Sequence, residues 1–251
     1  MYRQISLGFL AIIFLFPSLC GAGSFSVSPV KLFFDEGEKV SLIKVKNKGE
    51  ESVTIQVEAM VWSQNDAGED IYTSTKEIVL FPKIVAIDKG EETVIRIGVQ
   101  RTGTTKKEQA YRVFVQELPV SKPGVMALKF AVRMTIPIFI QPAEQVQGQS
   151  LQRVELRDGR FFVSVLNSGN SHLMVNKVLV AGVGDDGKEI FSQETNGWYV
   201  LSEATRTFSV NLPEEGCRQA RSLKTVVTVA KSQMETEIEV DPNRCLSSTK
   251  P

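Results

Sequence analysis

Along residues 125–142, V-M-A-L-K-F-A-V-R-M-T-I-P-I-F-I-Q-P, hydrophobic residues recur at every second position: Met126, Leu128, Phe130, Val132, Met134, Ile136 and Ile138. Side chains alternate faces in an extended chain, so the pattern predicts one long strand with a bulky apolar row on one side. The opposite row, Ala127, Lys129, Ala131, Arg133, Thr135 and Pro137, is mixed. Such a row either packs into the protein's own core or, at a sheet edge, is lent to another chain by strand addition. The alternation by itself leaves both uses open.

Short β-branched runs separated by polar turns fill the rest of the chain after residue 24, with little helical periodicity. Residues 25–34, 40–45, 53–62, 78–87, 93–99, 110–118 and 125–140 predict about seven strands. Turn material lies between them: Asp35-Glu36-Gly37, Asn47-Lys48-Gly49, Asn65-Asp66-Ala67-Gly68, Asp88-Lys89-Gly90 and Lys122-Pro123-Gly124. That count and spacing predict an immunoglobulin-like sandwich. A polar stretch at 143–150 follows Pro142, and strand signals then resume at 151–156, 161–166, 174–183, 198–201, 207–212 and in a hairpin at 223–230 and 235–240. The expectation is all-β, with two immunoglobulin-like domains at 23–142 and 143–251 joined by a short linker.

Residues 1–22 read as a secretory signal peptide. Arg3 precedes an apolar run from Ile5 to Phe16, and Cys20-Gly21-Ala22 ends in small residues. The run is shorter than the roughly 20 apolar residues that span a bilayer, so a periplasmic or exported chain without membrane insertion is expected. Export also brings an oxidising compartment. Counting outward from the turn near Lys231-Ser232-Gln233 sets Cys217 and Cys245 opposite each other at the open end of the last hairpin, where a disulfide fits and two free thiols are the alternative.

Lys plus Arg and Asp plus Glu are both 29, without long runs of one sign, which argues against nucleic acid as the partner. Enzyme chemistry has little to stand on. His172 is the single histidine, no G-x-S-x-G elbow or phosphate-binding glycine loop occurs, and neither a metal nor another cofactor is expected. The acidic pairs at 35–36, 50–51, 91–92, 185–186 and 214–215 fall at turns or strand starts, where solvation explains them.

Several stretches resemble the PapD-like periplasmic chaperones of the chaperone–usher pilus pathway. Ser28-Pro29-Val30-Lys31 is similar to that family's S-P-x-R start, and Asp88-Lys89-Gly90 with Val94-Ile95-Arg96-Ile97 is similar to its P-G-x-x-x-x-V-R-I segment. Glu117-Leu118-Pro119 resembles its E-I-P, and residues 136–142 stand where its last first-domain strand enters the linker. In the second half, residues 165–172 and Tyr199-Val200-Leu201 followed by Arg206 resemble family features too.

The resemblance implies a non-enzymatic chaperone that caps fimbrial subunits by donor-strand complementation and delivers them to an outer-membrane usher. Met126, Leu128, Phe130, Val132 and Met134 would then form the donor row. It also implies a cationic anchor for the subunit's terminal carboxylate. Lys31 stands where the family carries Arg, and Pro137 where it carries Lys. Arg112 is the candidate substitute, an ordinary exposed strand Arg being the alternative. The ending I-P-I-F-I-Q-P and Tyr111-Arg112-Val113 resemble the divergent archaic or alternative branch. Gln141 replaces an Arg common before the linker Pro. Self-association through the exposed strand is a further expectation. The rival reading is an exported two-domain immunoglobulin-like binding or adhesion protein that works through its loops.

Overall fold

The computed structural model describes residues 25–100, 105–118, 131–230 and 232–246. The proposed signal at 1–22 and the donor positions Met126, Leu128 and Phe130 lie outside the described residues. Ten strands precede residue 141: β1 (Phe25–Ser28), β2 (Leu32–Phe34), β3 (Val40–Asn47), β4 (Val53–Gln64), β5 (Asp70–Ser74), β6 (Ile78–Phe81), β7 (Ile84–Ile87), β8 (Glu92–Val99), β9 (Gln109–Leu118) and β10 (Arg133–Ile140). After residue 148 come β11 (Gln149–Arg157), β12 (Arg160–Asn167), β13 (Leu173–Val183), β14 (Glu189–Asn196), β15 (Tyr199–Val200), β16 (Thr205–Asn211), the short helix α1 (Glu214–Gln219), β17 (Ser222–Val229), β18 (Ser232–Glu239) and a 3-10 turn at Pro242–Cys245.

The first ten strands form two sheets, β1-β3-β8-β6 and β2-β10-β9-β4-β5, with β7 also paired to β4. The inward rows, among them Ile43, Val45, Ile55, Ile95, Ile97, Val113, Ile136 and Ile138, are buried between the sheets. The later strands form sheets β11-β12-β16 and β14-β13-β17-β18 around a second core that includes Phe161, Val163, Val178, Val180 and Leu223. The architecture is two all-β sandwiches, as the strand pattern predicts.

Two expected strands prove to be two each. The run at 25–34 gives β1 to one sheet and β2 to the other, and 78–87 divides likewise into β6 and β7. Pro29 and Pro82 stand at the breaks, each after a cis peptide bond. Proline cannot donate to a ladder, so each run leaves its sheet there and resumes in the facing one. The edge strands β5 and β14 are absent from the sequence reading because their side chains are mostly solvated and show no apolar alternation.

Each domain pins one connection between its two sheets with the same device. In each, a fully enclosed asparagine pins the turn that follows its strand. Asn47 Nδ2 donates to the carbonyls of Glu51 and Ile87 at 2.8 and 2.9 Å, and Asn47 Oδ1 accepts from Gly49 N at 2.8 Å. Asn167 Nδ2 donates to the carbonyls of Ser171, Val200 and Leu201 at 2.7, 2.9 and 3.1 Å, with Gly169 N donating to its Oδ1 at 3.0 Å. Cys217 on α1 and Cys245 in the 3-10 turn are joined by a disulfide that lies within the second core.

Asn167→Ala is expected to lower the unfolding free energy of the second sandwich by roughly 2 kcal/mol or more, because buried carbonyls lose their donor. Urea denaturation measures this, and an unchanged midpoint would contradict it.

Candidate functional site

β10 is an edge strand over most of its length. Its whole span, Arg133 to Ile140, pairs antiparallel with β9, but on its other side β2 covers only Ile138, Phe139 and Ile140, in parallel. Among the described residues, Arg133 to Pro137 therefore have one unpaired backbone edge. An uncovered edge is a template for a further strand. Pro137 sits within this stretch, a location proline tolerates because the edge needs fewer ladder donors.

The alternation seen in the sequence sorts this strand's side chains. Ile136 and Ile138 are buried in the first core, and Val132 and Met134 are half-buried against it. The apolar row thus faces the protein's own core through its described part. The other row turns outward at the same end of the sheet, where Pro137 lies opposite Arg112 and Phe139 opposite Ala110 in the β9–β10 ladder.

That outward face is covered by the second domain. Trp62 from β4, Ala110 from β9 and Phe139 from β10 are buried together with Leu201, with Tyr199 and Ala204 packed beside them. The turn Asn65-Asp66-Ala67-Gly68 leads into this seam. Gly68 has φ +78°, and a Cβ there would lie 2.8 Å from the Arg206 Cα and the Thr205 carbonyl oxygen, so glycine is required by conformation and by close approach alike.

Arg112 stands in the middle of the seam. It is only 3% exposed, not the ordinary exposed strand Arg that was the alternative. Its guanidinium carbon is 3.8 Å from the Trp62 ring centroid, 5.3 Å from that of Trp198 and 5.5 Å from that of Tyr199. Cation–π contact of this kind contributes up to about 2 kcal/mol when desolvated. Nε and Nη2 are enclosed and have no hydrogen-bond partner among the described residues. Burial lowers the Arg112 pKa from the ordinary guanidinium value, and the Tyr72 and Asp70 side chains partly offset this.

Lys31 flanks the same aromatic group. Its side chain is exposed, with Nζ 5.9 Å from the Phe33 ring centroid and 6.0 Å from that of Tyr199. The Tyr199 ring is therefore near both candidate anchor cations. A cavity of about 430 Å³ opens beside Lys31, lined in part by Gln145, His172, Met174 and Ser232.

His172, the one candidate base, is a seam residue. Its ring stacks on Phe139 with centroids 3.7 Å apart and 15° between planes. Its backbone N–H donates to Glu108 Oε1 at 2.8 Å, and Nδ1 lies 2.9 Å from both Glu108 oxygens. Glu108 is buried, and it was not among the sequence-predicted residues because an isolated acid in a loop carries no pattern. Among the described residues no group of three or more His, Cys, Asp or Glu side chains is placed to hold a metal ion, and no helix is long and apolar enough to cross a membrane.

A guanidinium enclosed without a counter-ion costs stability, and apolar replacement of such groups is often neutral or stabilising. Arg112→Met is expected to leave the isolated protein at least as stable as wild type, gaining about 1 kcal/mol. A loss of more than about that amount in chemical denaturation would mean that the guanidinium is satisfied where it lies.

Residues 24–145 match the family described as pili and flagellar-assembly chaperone, PapD N-terminal domain. No curated protein sequence matches the chain. Similar solved structures include a chain of the CsuC–CsuE chaperone–tip adhesion subunit pre-assembly complex from the archaic Csu pili of Acinetobacter baumannii, at 21% identity, covering 86% of this chain and 98% of that one, TM-score 0.58. They also include a chain of the Salmonella enterica SafA pilin–SafB chaperone complex, at 15% identity over 86% and 96%, TM-score 0.54. The Pseudomonas aeruginosa CupB2 chaperone is similar at 13% identity over 86% and 100%, TM-score 0.52. At these identities the likeness is one of fold, and it extends over both sandwiches. Pilus chaperones of this kind are periplasmic, non-enzymatic proteins; by this match residues 24–145 belong to the PapD-like pilus-chaperone family, and the two sandwiches together have the fold of such chaperones.

Proposed function

We propose that this protein is a periplasmic chaperone, exported by a cleaved signal at residues 1–22, that holds fimbrial subunits by lending them an edge strand and passes them to an outer-membrane usher. Its domain boundary lies at the polar stretch after Pro142. The donor row is Met126, Leu128, Phe130, Val132 and Met134, running into the unpaired edge of β10; Val132 and Met134 rest half-buried on the chaperone's own core and would have to turn part of their surface to a partner. Ile136 and Ile138 root the same row in the chaperone's own core, so the strand is held at one end while the other is offered. Each bulky side chain buried in a partner contributes roughly 1.5–3 kcal/mol before ordering costs.

The single observation that carries this reading is the unpaired backbone edge of Arg133 to Pro137 beside an enclosed cation without a counter-ion. Arg112 and Lys31 are the anchor for the subunit's terminal carboxylate. Nε and Nη2 of a guanidinium form one edge of its planar fork and together receive both oxygens of a carboxylate. The free protein keeps that edge enclosed beside the rings of Trp62, Trp198 and Tyr199. Docking a carboxylate there requires a ring to move, and two charge-assisted hydrogen bonds repay it. Lys31, exposed near the same ring, supplies long-range attraction.

Arg112 takes over from the side chain missing at position 137, its neighbour across the ladder. This arrangement, together with the I-P-I-F-I-Q-P ending, supports placement in the archaic branch. The CsuC–CsuE structure is similar in fold and, by its description, comes from an archaic pilus.

Co-expression with the subunit encoded beside it, followed by co-purification, tests the reading. Wild type is expected to yield a stable one-to-one complex. Leu128→Glu/Phe130→Glu, folded by circular dichroism, is expected to lose it. Arg112→Met is expected to bind at least about tenfold more weakly, since charged hydrogen bonds contribute about 1.5–3 kcal/mol. A folded double variant that holds the subunit as well as wild type would overturn strand donation.

A further inference from the structure

Asp70 on β5 is the acid nearest the anchor in architecture, yet it forms no hydrogen bond to Arg112. Its side chain is only 15% exposed, and its two oxygens accept four N–H groups. Oδ1 receives the Trp62 indole Nε1 at 3.0 Å, Gln64 Nε2 at 2.9 Å and Arg206 Nη1 at 3.2 Å. Oδ2 receives the Trp198 indole Nε1 at 2.7 Å. Trp62 and Gln64 belong to the first domain, Trp198 and Arg206 to the second. The two indoles held by this one carboxylate are the two that flank the Arg112 guanidinium. Trp198 in turn meets Tyr199 edge to face with centroids 5.9 Å apart, and Tyr199 is the ring that both Arg112 and Lys31 approach.

We infer that Asp70 is a positioning residue for partner capture: by fixing both indole N–H groups it sets two aromatic walls around Arg112 and keeps the enclosed guanidinium edge unpaired until a carboxylate arrives. The inference rests on Arg112 being the carboxylate anchor. Two features of Asp70 serve it. Its four donors hold it to the indoles, Gln64 and Arg206 and no hydrogen bond joins it to Arg112, so it acts on the anchor only as a charge through space and leaves Nε and Nη2 of the guanidinium unpaired among the described residues. Bonding to a tryptophan from each domain ties the shape of the anchor to the docking of the domains. Asparagine at position 70 would keep one acceptor oxygen and turn an N–H₂ donor toward groups that are themselves donors.

Two synthetic peptides of alternating apolar and polar residues, identical except for a terminal carboxylate or a terminal amide, separate these roles. Affinities come from the anisotropy of a label at the peptide's amino end. The ratio of the two affinities cancels any loss that both share through looser domain docking. Wild type is expected to prefer the carboxylate about tenfold or more, and Arg112→Met to show no preference. Asp70→Asn is expected to lose most of the preference, and Trp198→Phe, which lacks the indole N–H, to lose it as well. Arg206→Gln removes the ion pair between domains but neither indole bond, and is expected to keep it.

Full preference in Asp70→Asn, with none in Arg112→Met, would overturn the positioning role while leaving the anchor. Equal losses in Arg206→Gln and Asp70→Asn would overturn it too, reducing Asp70 to a domain tie. No preference in wild type would overturn the anchor itself and this inference with it. If Asp70→Asn does not fold, Trp198→Phe against Arg206→Gln decides, a loss confined to the former supporting the role and equal behaviour overturning it.

Discussion

β9 and β10 are buried on both faces where they reach the seam between domains. Residues 110–115 and 136–139 are enclosed without interruption, although alternate side chains point in opposite directions. One row, Tyr111, Val113, Val115, Ile136 and Ile138, completes the core of the first sandwich. The other row, Ala110, Arg112, Pro137 and Phe139, meets the second domain. These strands cannot shift register by one residue without exchanging a core for a seam. The fixed register sets Pro137, at one end of the unpaired edge, opposite Arg112.

The seam spends its polar groups unequally. Glu108 is committed to His172, and Asp70 to two indoles, an amide and Arg206. Arg112 is left with aromatic faces and two enclosed N–H donors. Under the proposed function a carboxylate-bearing partner would restore the stability withheld in the free chaperone. A capture-and-release cycle of that kind would run on differences in binding free energy.

Much of the fold was legible in the sequence, since period-two alternation and turn chemistry survive in every strand with one buried face. The splitting of residues 25–34 and 78–87 between sheets was not, because each apolar run continues across its proline while only its hydrogen-bond partners change. β5 and β14 left no trace, being solvated edges. The anchor was half legible. Charge and position single out Lys31 and Arg112, but burial of Arg112 follows from Trp62, Trp198 and Tyr199, which are far apart in sequence. Asp70 and Glu108 carry no local motif, and their roles exist only once the two domains meet. The stacking of His172 on Phe139 has no sequence signal either.

Amide hydrogen exchange across residues 131–140, compared between the free protein and its complex with a fimbrial subunit, addresses the central claim most directly. Strand donation predicts slow exchange at Ile138 to Ile140 in both states and, on the edge that β2 leaves uncovered, new protection at Arg133 and Thr135 only in the complex, since alternate residues of β10 already face β9. Protection that appears only in the loops of the second domain, with Arg133 and Thr135 exchanging alike in both states, would contradict it.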